Sequence, residues 1–167
     1  MASTPDAAER VFTGRMVGVT LERWDDAERE VVERADSIAV VAVEPSDSLL
    51  LVRQFRAPAR RALLELPAGT VDEGEEPLET AKRELAEETG LRGGRWRAGP
   101  AFYTTPGFCR ERIHLFFADE LERGEPTPER SEELEVIRWP LTDAASRLAE
   151  VEDAKTLAGI LLFLARA

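Results

Sequence analysis

The sequence predicts a mixed α/β sandwich, on three observations. Residues 38–43, Ile-Ala-Val-Val-Ala-Val, are apolar without a break, the pattern of a strand covered on both faces. Leu78, Ala81, Leu85 and Ala86 recur at helical spacing between Pro77, suited to a first helical turn, and Gly90, suited to a C-terminal cap. Segments of strand character come first, this helix falls among them, and helical segments close the chain.

Taken in order, residues 1–10 read as a flexible tail and residues 11–35 as a small N-terminal β subdomain. That subdomain alternates across Met16-Val17-Gly18-Val19-Thr20-Leu21 and turns at Asp25-Asp26. Residues 36–167 make the main domain. Within it, 37–44 is the covered strand, Pro45-Ser46-Asp47-Ser48 a turn, and 49–55 the hairpin partner. Residues 62–66 form a short strand stopped by Pro67, and an acidic loop from Gly69 to Glu75 leads into the helix. Strands at 96–102 and 112–118 follow, separated by Thr104-Thr105-Pro106-Gly107. A proline-containing acidic loop spans 124–130, and another strand 134–139. Helices are expected over 142–151 and 153–167, the second turning Leu157, Ile160, Leu161 and Leu164 toward the core.

Composition narrows the function. The 167 residues are 43% apolar, enough for one domain to bury a core without disulfides. A formal charge of −11 disfavours nucleic acid as a partner. One cysteine, Cys109, and one histidine, His114, exclude an intrachain disulfide, Cys-based zinc sites and multi-histidine metal sites. His114, flanked by Ile113, Leu115 and Phe116, reads as a packed strand residue, and Cys109 as a small buried or loop thiol. The polar N-terminus has no signal-peptide core, and the apolar run 157–165 falls well short of the ~20 residues of a membrane span. The expectation is a cytoplasmic protein without a membrane partner.

Glu84, Glu87 and Glu88 stand at i, i+3 and i+4, so one helical face carries all three. Like charges at this spacing cost about 0.2–0.5 kcal/mol per pair. Two readings remain open from spacing alone: a solvated face on an acidic protein, or a site for a hard divalent cation.

The frame around these glutamates decides between them. Gly69, Glu75, Arg83-Glu84-Leu85, Glu87-Glu88, Gly90 and Leu91 supply nine specified positions across 23 residues, and the set resembles the Nudix box of the Nudix hydrolase family. In this frame Gly69 permits a tight loop, Arg83 pairs with Glu75, Leu85 and Leu91 pack inward, and the carboxylates stay outward. The resemblance implies an α/β/α sandwich around a mixed sheet, with a small N-terminal β subdomain. It also implies hydrolysis of a nucleoside diphosphate linked to another moiety, with Mg²⁺ or Mn²⁺. Carried over residue by residue, the metal ligands are Glu84, Glu87, Glu88 and the main-chain carbonyl of Ala68, with Glu88 also catalytic.

Outside the box, Leu51-Val52-Arg53-Gln54-Phe55-Arg56, Leu64-Glu65-Leu66-Pro67-Ala68-Gly69 and Pro106, fifteen residues beyond Leu91, resemble the ADP-ribose pyrophosphatase subgroup. Three departures stand out: Thr105, Arg110, and Glu33-Arg34-Ala35-Asp36-Ser37 in place of His-Pro-Gly. The subgroup implies a small-molecule substrate cleaved to AMP and ribose 5-phosphate, and a homodimer built through the N-terminal strands, which lack an obvious partner within the chain. It assigns substrate binding to Arg56, at phosphate or terminal ribose, and to Pro106, with Trp24 as an adenine-stacking residue. A surface ion pair, a simple turn and core packing are the plain alternatives for these three. The general base is a loop glutamate, Glu132 or Glu133, with Glu132 favoured by counting back from Glu135-Val136-Ile137. Another nucleoside diphosphate sugar or dinucleotide, or a non-catalytic sensing domain, are the competing functions.

Overall fold

A computed structural model describes residues 4–125 and 134–166. β1 (Ala7–Thr13), β2 (Gly18–Trp24) and β3 (Ala27–Glu33) pair antiparallel as a three-stranded sheet. The strand begins at Ala7, inside the span predicted as a tail, because Asp6 and Ala7 already bond to Arg23 across the hairpin. The N-terminal strands therefore find partners in one another, which the sequence reading did not anticipate.

The main sheet begins with β4 (Ser37–Glu44), β5 (Ser48–Arg56), β6 (Arg61–Glu65) and β7 (Ala68–Thr70). α1 (Pro77–Thr89), β8 (Leu91–Arg92), β9 (Arg95–Tyr103), β10 (Arg112–Asp119), β11 (Glu122–Arg123), β12 (Leu134–Pro140) and α2 (Ala154–Leu164) complete the chain. The central order is β12-β5-β4-β10-β9, with β4 and β10 parallel and the other neighbours antiparallel. β4 and β5 pair only at Val43–Leu49 and Glu44–Ser48 and then diverge. β6 follows β5, β7 follows the start of β4, and Pro67 accepts from Val40 N between them. This wedge delivers Ala68 and Gly69 to the sheet beside α1.

The apolar run of β4 is buried on both sides, as expected. Ile38, Val40 and Ala42 join the layer under α1 with Ala81, Leu85 and Leu91, while Ala39 and Val41 join the layer under α2 with Ile160. The result is a helix–sheet–helix sandwich. α1 starts at Pro77, as expected for a proline at N1, and ends where Gly90 takes φ 76° and returns its N–H to Ala86 O.

The expected helix over 142–151 is instead two 3₁₀ turns, Leu141–Asp143 and Leu148–Glu150. Leu141, Ala144, Leu148 and Val151 all reach the core, and the i→i+3 turns, which rise about 2.0 Å per residue against about 1.5 Å in an α-helix, spread them along it. On α2, Leu157, Ile160 and Leu164 face inward, but Leu161 is 51% exposed, off the buried stripe. None of the described helices is long and apolar enough to cross a membrane.

Candidate active site

Ala81, Leu85 and Glu88 lie along the inward face of α1, and Glu88 is 5% exposed. The expectation of three outward carboxylates is thus corrected: Glu84 and Glu87 flank the helix, while Glu88 continues the buried stripe by a helical turn. Three glutamates in the last two turns, with no basic residue in the final turn, also oppose the helix dipole.

Gly69 faces this cluster. A Cβ there would lie 2.2 Å from both Cδ and Oε1 of Glu84. The glycine is needed for close approach of the helix carboxylate rather than for a tight loop, since it lies in β7. Arg83 gathers the remaining charges. Its guanidinium donates to both oxygens of Glu75, at 3.2 and 3.0 Å, and to Glu84 Oε1 at 2.8 Å and Glu87 Oε2 at 3.3 Å. The hydrogen bonds to Glu75 and the negative charge of Glu84 raise the Arg83 pKa well above its ordinary value despite partial burial. The Arg83 hydrogen bonds, helped by Thr80 Oγ1, hold Glu75 below the usual carboxylate range.

Arg56 is fixed more firmly than a surface ion pair. Its Nε and Nη2 reach Glu65 Oε1 and Oε2 at 2.7 and 2.8 Å, and Lys155 Nζ shares Oε2. Burial pushes the Glu65 pKa up, but hydrogen bonds from Arg56 and the charge of Lys155 outweigh it, and the net direction is down. Arg56 is raised chiefly by its hydrogen bond to Glu65, and Glu88 is among the negative charges acting on it. Neither Glu65 nor Lys155 was singled out from sequence, although a lone acid between Leu64 and Leu66 was the available signal.

Pro106 sits in a turn where Phe108 and Cys109 donate to Thr105 O. The loop is tied down at both ends. Glu111 receives Thr104 Oγ1 at 3.1 Å and Ser37 Oγ at 3.0 Å and pairs with Arg34. Val32 accepts from Arg110 N and donates to Phe108 O. Arg110 also pairs with Glu22 and Glu33, so two of the departures from the subgroup pattern meet each other. Trp24 ends β2 in the other sheet, its indole donating to Glu22 at 3.1 Å; the structure does not bring it to the α1 face. His114 is not merely packed: its Nε2 lies 2.8 Å from Asp36 Oδ2. Glu132 and Glu133 lie outside the described residues.

The NUDIX domain family matches residues 33–159. The chain belongs to the Nudix family. Among relatives of this Nudix chain, an ADP-ribose pyrophosphatase of Bacillus subtilis is 40% identical over 159 residues, covering 90% of this chain and 86% of the relative. A methanol dehydrogenase activator of Bacillus methanolicus is 33% identical, covering 91% and 87%. A crystal structure of an ADP compounds hydrolase superposes with a TM-score of 0.82 at 22% identity, over 98% of this chain and 92% of the other, which establishes the shared fold.

The chemistry of the donors suits a hard divalent cation: three carboxylates within the last two turns of one helix, with Gly69 leaving the room that the Glu84 carboxylate occupies. Among the described residues no group of three or more His, Cys, Asp or Glu side chains is arranged to hold a metal ion as it stands. In this Nudix chain Arg83 is the cation that spans Glu84 and Glu87.

Proposed function

We propose that this Nudix pyrophosphohydrolase cleaves ADP-ribose with water to AMP and ribose 5-phosphate, using Mg²⁺ or Mn²⁺. The observation that carries the reading is the acidic face of α1, with Glu84 seated against Gly69 and bridged to Glu75 by Arg83, together with an Arg56 guanidinium fixed on Glu65. Positive charge for a phosphate and carboxylates for a cation are both required to bring a pyrophosphate and a nucleophile together. Similarity to the Bacillus subtilis ADP-ribose pyrophosphatase supports the choice of substrate.

Glu84, Glu87, Glu88 and the Ala68 carbonyl would hold the metal. When bound, it supplies neutralisation of phosphate oxygens and acidification of water. Arg83 keeps Glu84 and Glu87 aligned against the Glu75 loop. Arg56 binds a phosphate or the terminal ribose, and the tethered Pro106 loop borders the substrate. Trp24 would reach an adenine only through the N-terminal sheet. Glu132, ahead of Glu133, accepts the proton of the attacking water. The protein acts as a homodimer through its N-terminal sheet, where Val11, Phe12 and Met16 are 50, 53 and 57% exposed. Its lone thiol suits a reducing cytoplasm.

The test is AMP release from ADP-ribose beside a panel of nucleoside diphosphate sugars and dinucleotides, with Mg²⁺ and with EDTA. Metal-dependent AMP from ADP-ribose is expected, and Glu132→Gln should lower kcat by about 10²–10⁴-fold. Preference for another panel member would replace the substrate; no metal-dependent turnover of any member would remove the reading.

A further inference from the structure

Lys155 stands in the first turn of α2, on the opposite side of the sheet from α1, and its side chain is 13% exposed. A lysine this covered must be neutralised. Its Nζ pairs with Glu65 Oε2 and lies 3.0 Å from Asp153 Oδ2. Asp153 is committed elsewhere as well, capping α2 by accepting Thr156 N at 3.0 Å and Thr156 Oγ1 at 2.6 Å. Thr156 Oγ1 in turn accepts Leu66 N at 2.8 Å, so the same helical turn grips the chain two residues before Ala68.

Glu65 is the centre of this arrangement. It is 1% exposed, yet it serves two cations. With Arg56 alone, its charge would be cancelled by that single guanidinium, held inward on a buried anion. Lys155 shares that anion from the α2 side, so Arg56 is not its sole counter-charge, while two hydrogen bonds to Glu65 keep the guanidinium plane fixed.

We propose that Lys155 is a positioning residue for substrate binding: by sharing Glu65 with Arg56 it leaves the guanidinium placed and charged for the anionic part of a nucleoside diphosphate. The inference rests on the reading that Arg56 contacts substrate. Lys155 itself stays behind Glu65 and touches no reacting atom.

The experiment compares steady-state constants of wild type, Lys155→Met and Lys155→Arg on ADP-ribose. Lys155→Met should raise KM about tenfold with kcat within about threefold, because ground-state binding is what Arg56 supplies. Lys155→Arg, which restores the charge, should bring KM back to within about twofold of wild type. A Lys155→Met enzyme with a lower melting temperature but an unchanged KM overturns the proposal, as does a fall in kcat alone. Should Lys155→Met fail to fold, Lys155→Gln carries the same comparison. A wild type inert toward ADP-ribose overturns the substrate assignment instead, and the Lys155 series is then read on the nucleotide it does cleave.

Discussion

Glu88 places two demands on one side chain. It occupies a position in the buried stripe of α1, where an ionised carboxylate is costly, and the proposed function makes it a metal ligand. Glu88→Gln keeps the shape and removes the charge. Its expected outcome is loss of turnover by at least about 10²-fold, with a melting temperature equal to or above wild type. Steady-state assays at saturating Mg²⁺ beside a thermal melt check both halves; near-normal turnover would count against the metal assignment. Glu65 governs acid stability. Its folded pKa lies below the ordinary value, so folding favours the ionised form. The stabilisation is therefore complete above the unfolded value of about 4.3 and fades as pH falls through the folded one. Urea midpoints measured from neutral pH downward should drop more steeply for wild type than for Glu65→Gln. Some slope remains in the variant, because Glu75 is depressed too.

At the scale of elements, the contact of α1 with β7 sets the geometry of the carboxylates. Gly69→Ala places a methyl where the Glu84 carboxylate lies. The colliding atoms are the far end of a flexible side chain, so the fold should survive while Glu84 is turned away. Turnover is expected to fall by about 10-fold or more with little change in melting temperature. Equal activity in Gly69→Ala would show that the Glu84 position seen here is dispensable. The two ends of the Pro106 loop differ in how they are held. One is pinned by side chains through Glu111 and the other by backbone bonds to β3, which couples the loop to the N-terminal sheet.

For the whole molecule, the N-terminal sheet is the part with least of its own core. Every residue of β1 is exposed, including Val11 and Phe12, and Met16 and Val17 extend the apolar surface. A symmetric dimer covers such a surface, and two-fold dimers are the commonest oligomers. Light scattering at micromolar concentration should give twice the mass of one chain, and Phe12→Glu should shift it to one. A wild type that is monomeric and fully active across that range would remove the dimer from the functional unit.

Sequence periodicity by itself determined the covered strand β4, the limits of α1 and the family, because these depend on local signals: an unbroken apolar run, a proline and a glycine at fixed offsets, and a motif whose spacing is its content. The tertiary structure decided the rest. Glu88 turned out buried because the phase of α1 on the sheet, not the i, i+3, i+4 spacing, selects which carboxylate faces in. Gly69 proved to be a contact with a residue fifteen positions later, and the 142–151 segment gave up its helix to bring four apolar side chains onto the core. The Arg56–Glu65–Lys155 network joins residues up to 99 positions apart through the β4–β5 wedge and the seating of α2. Such pairings depend on which distant segments meet, and no local pattern encodes that.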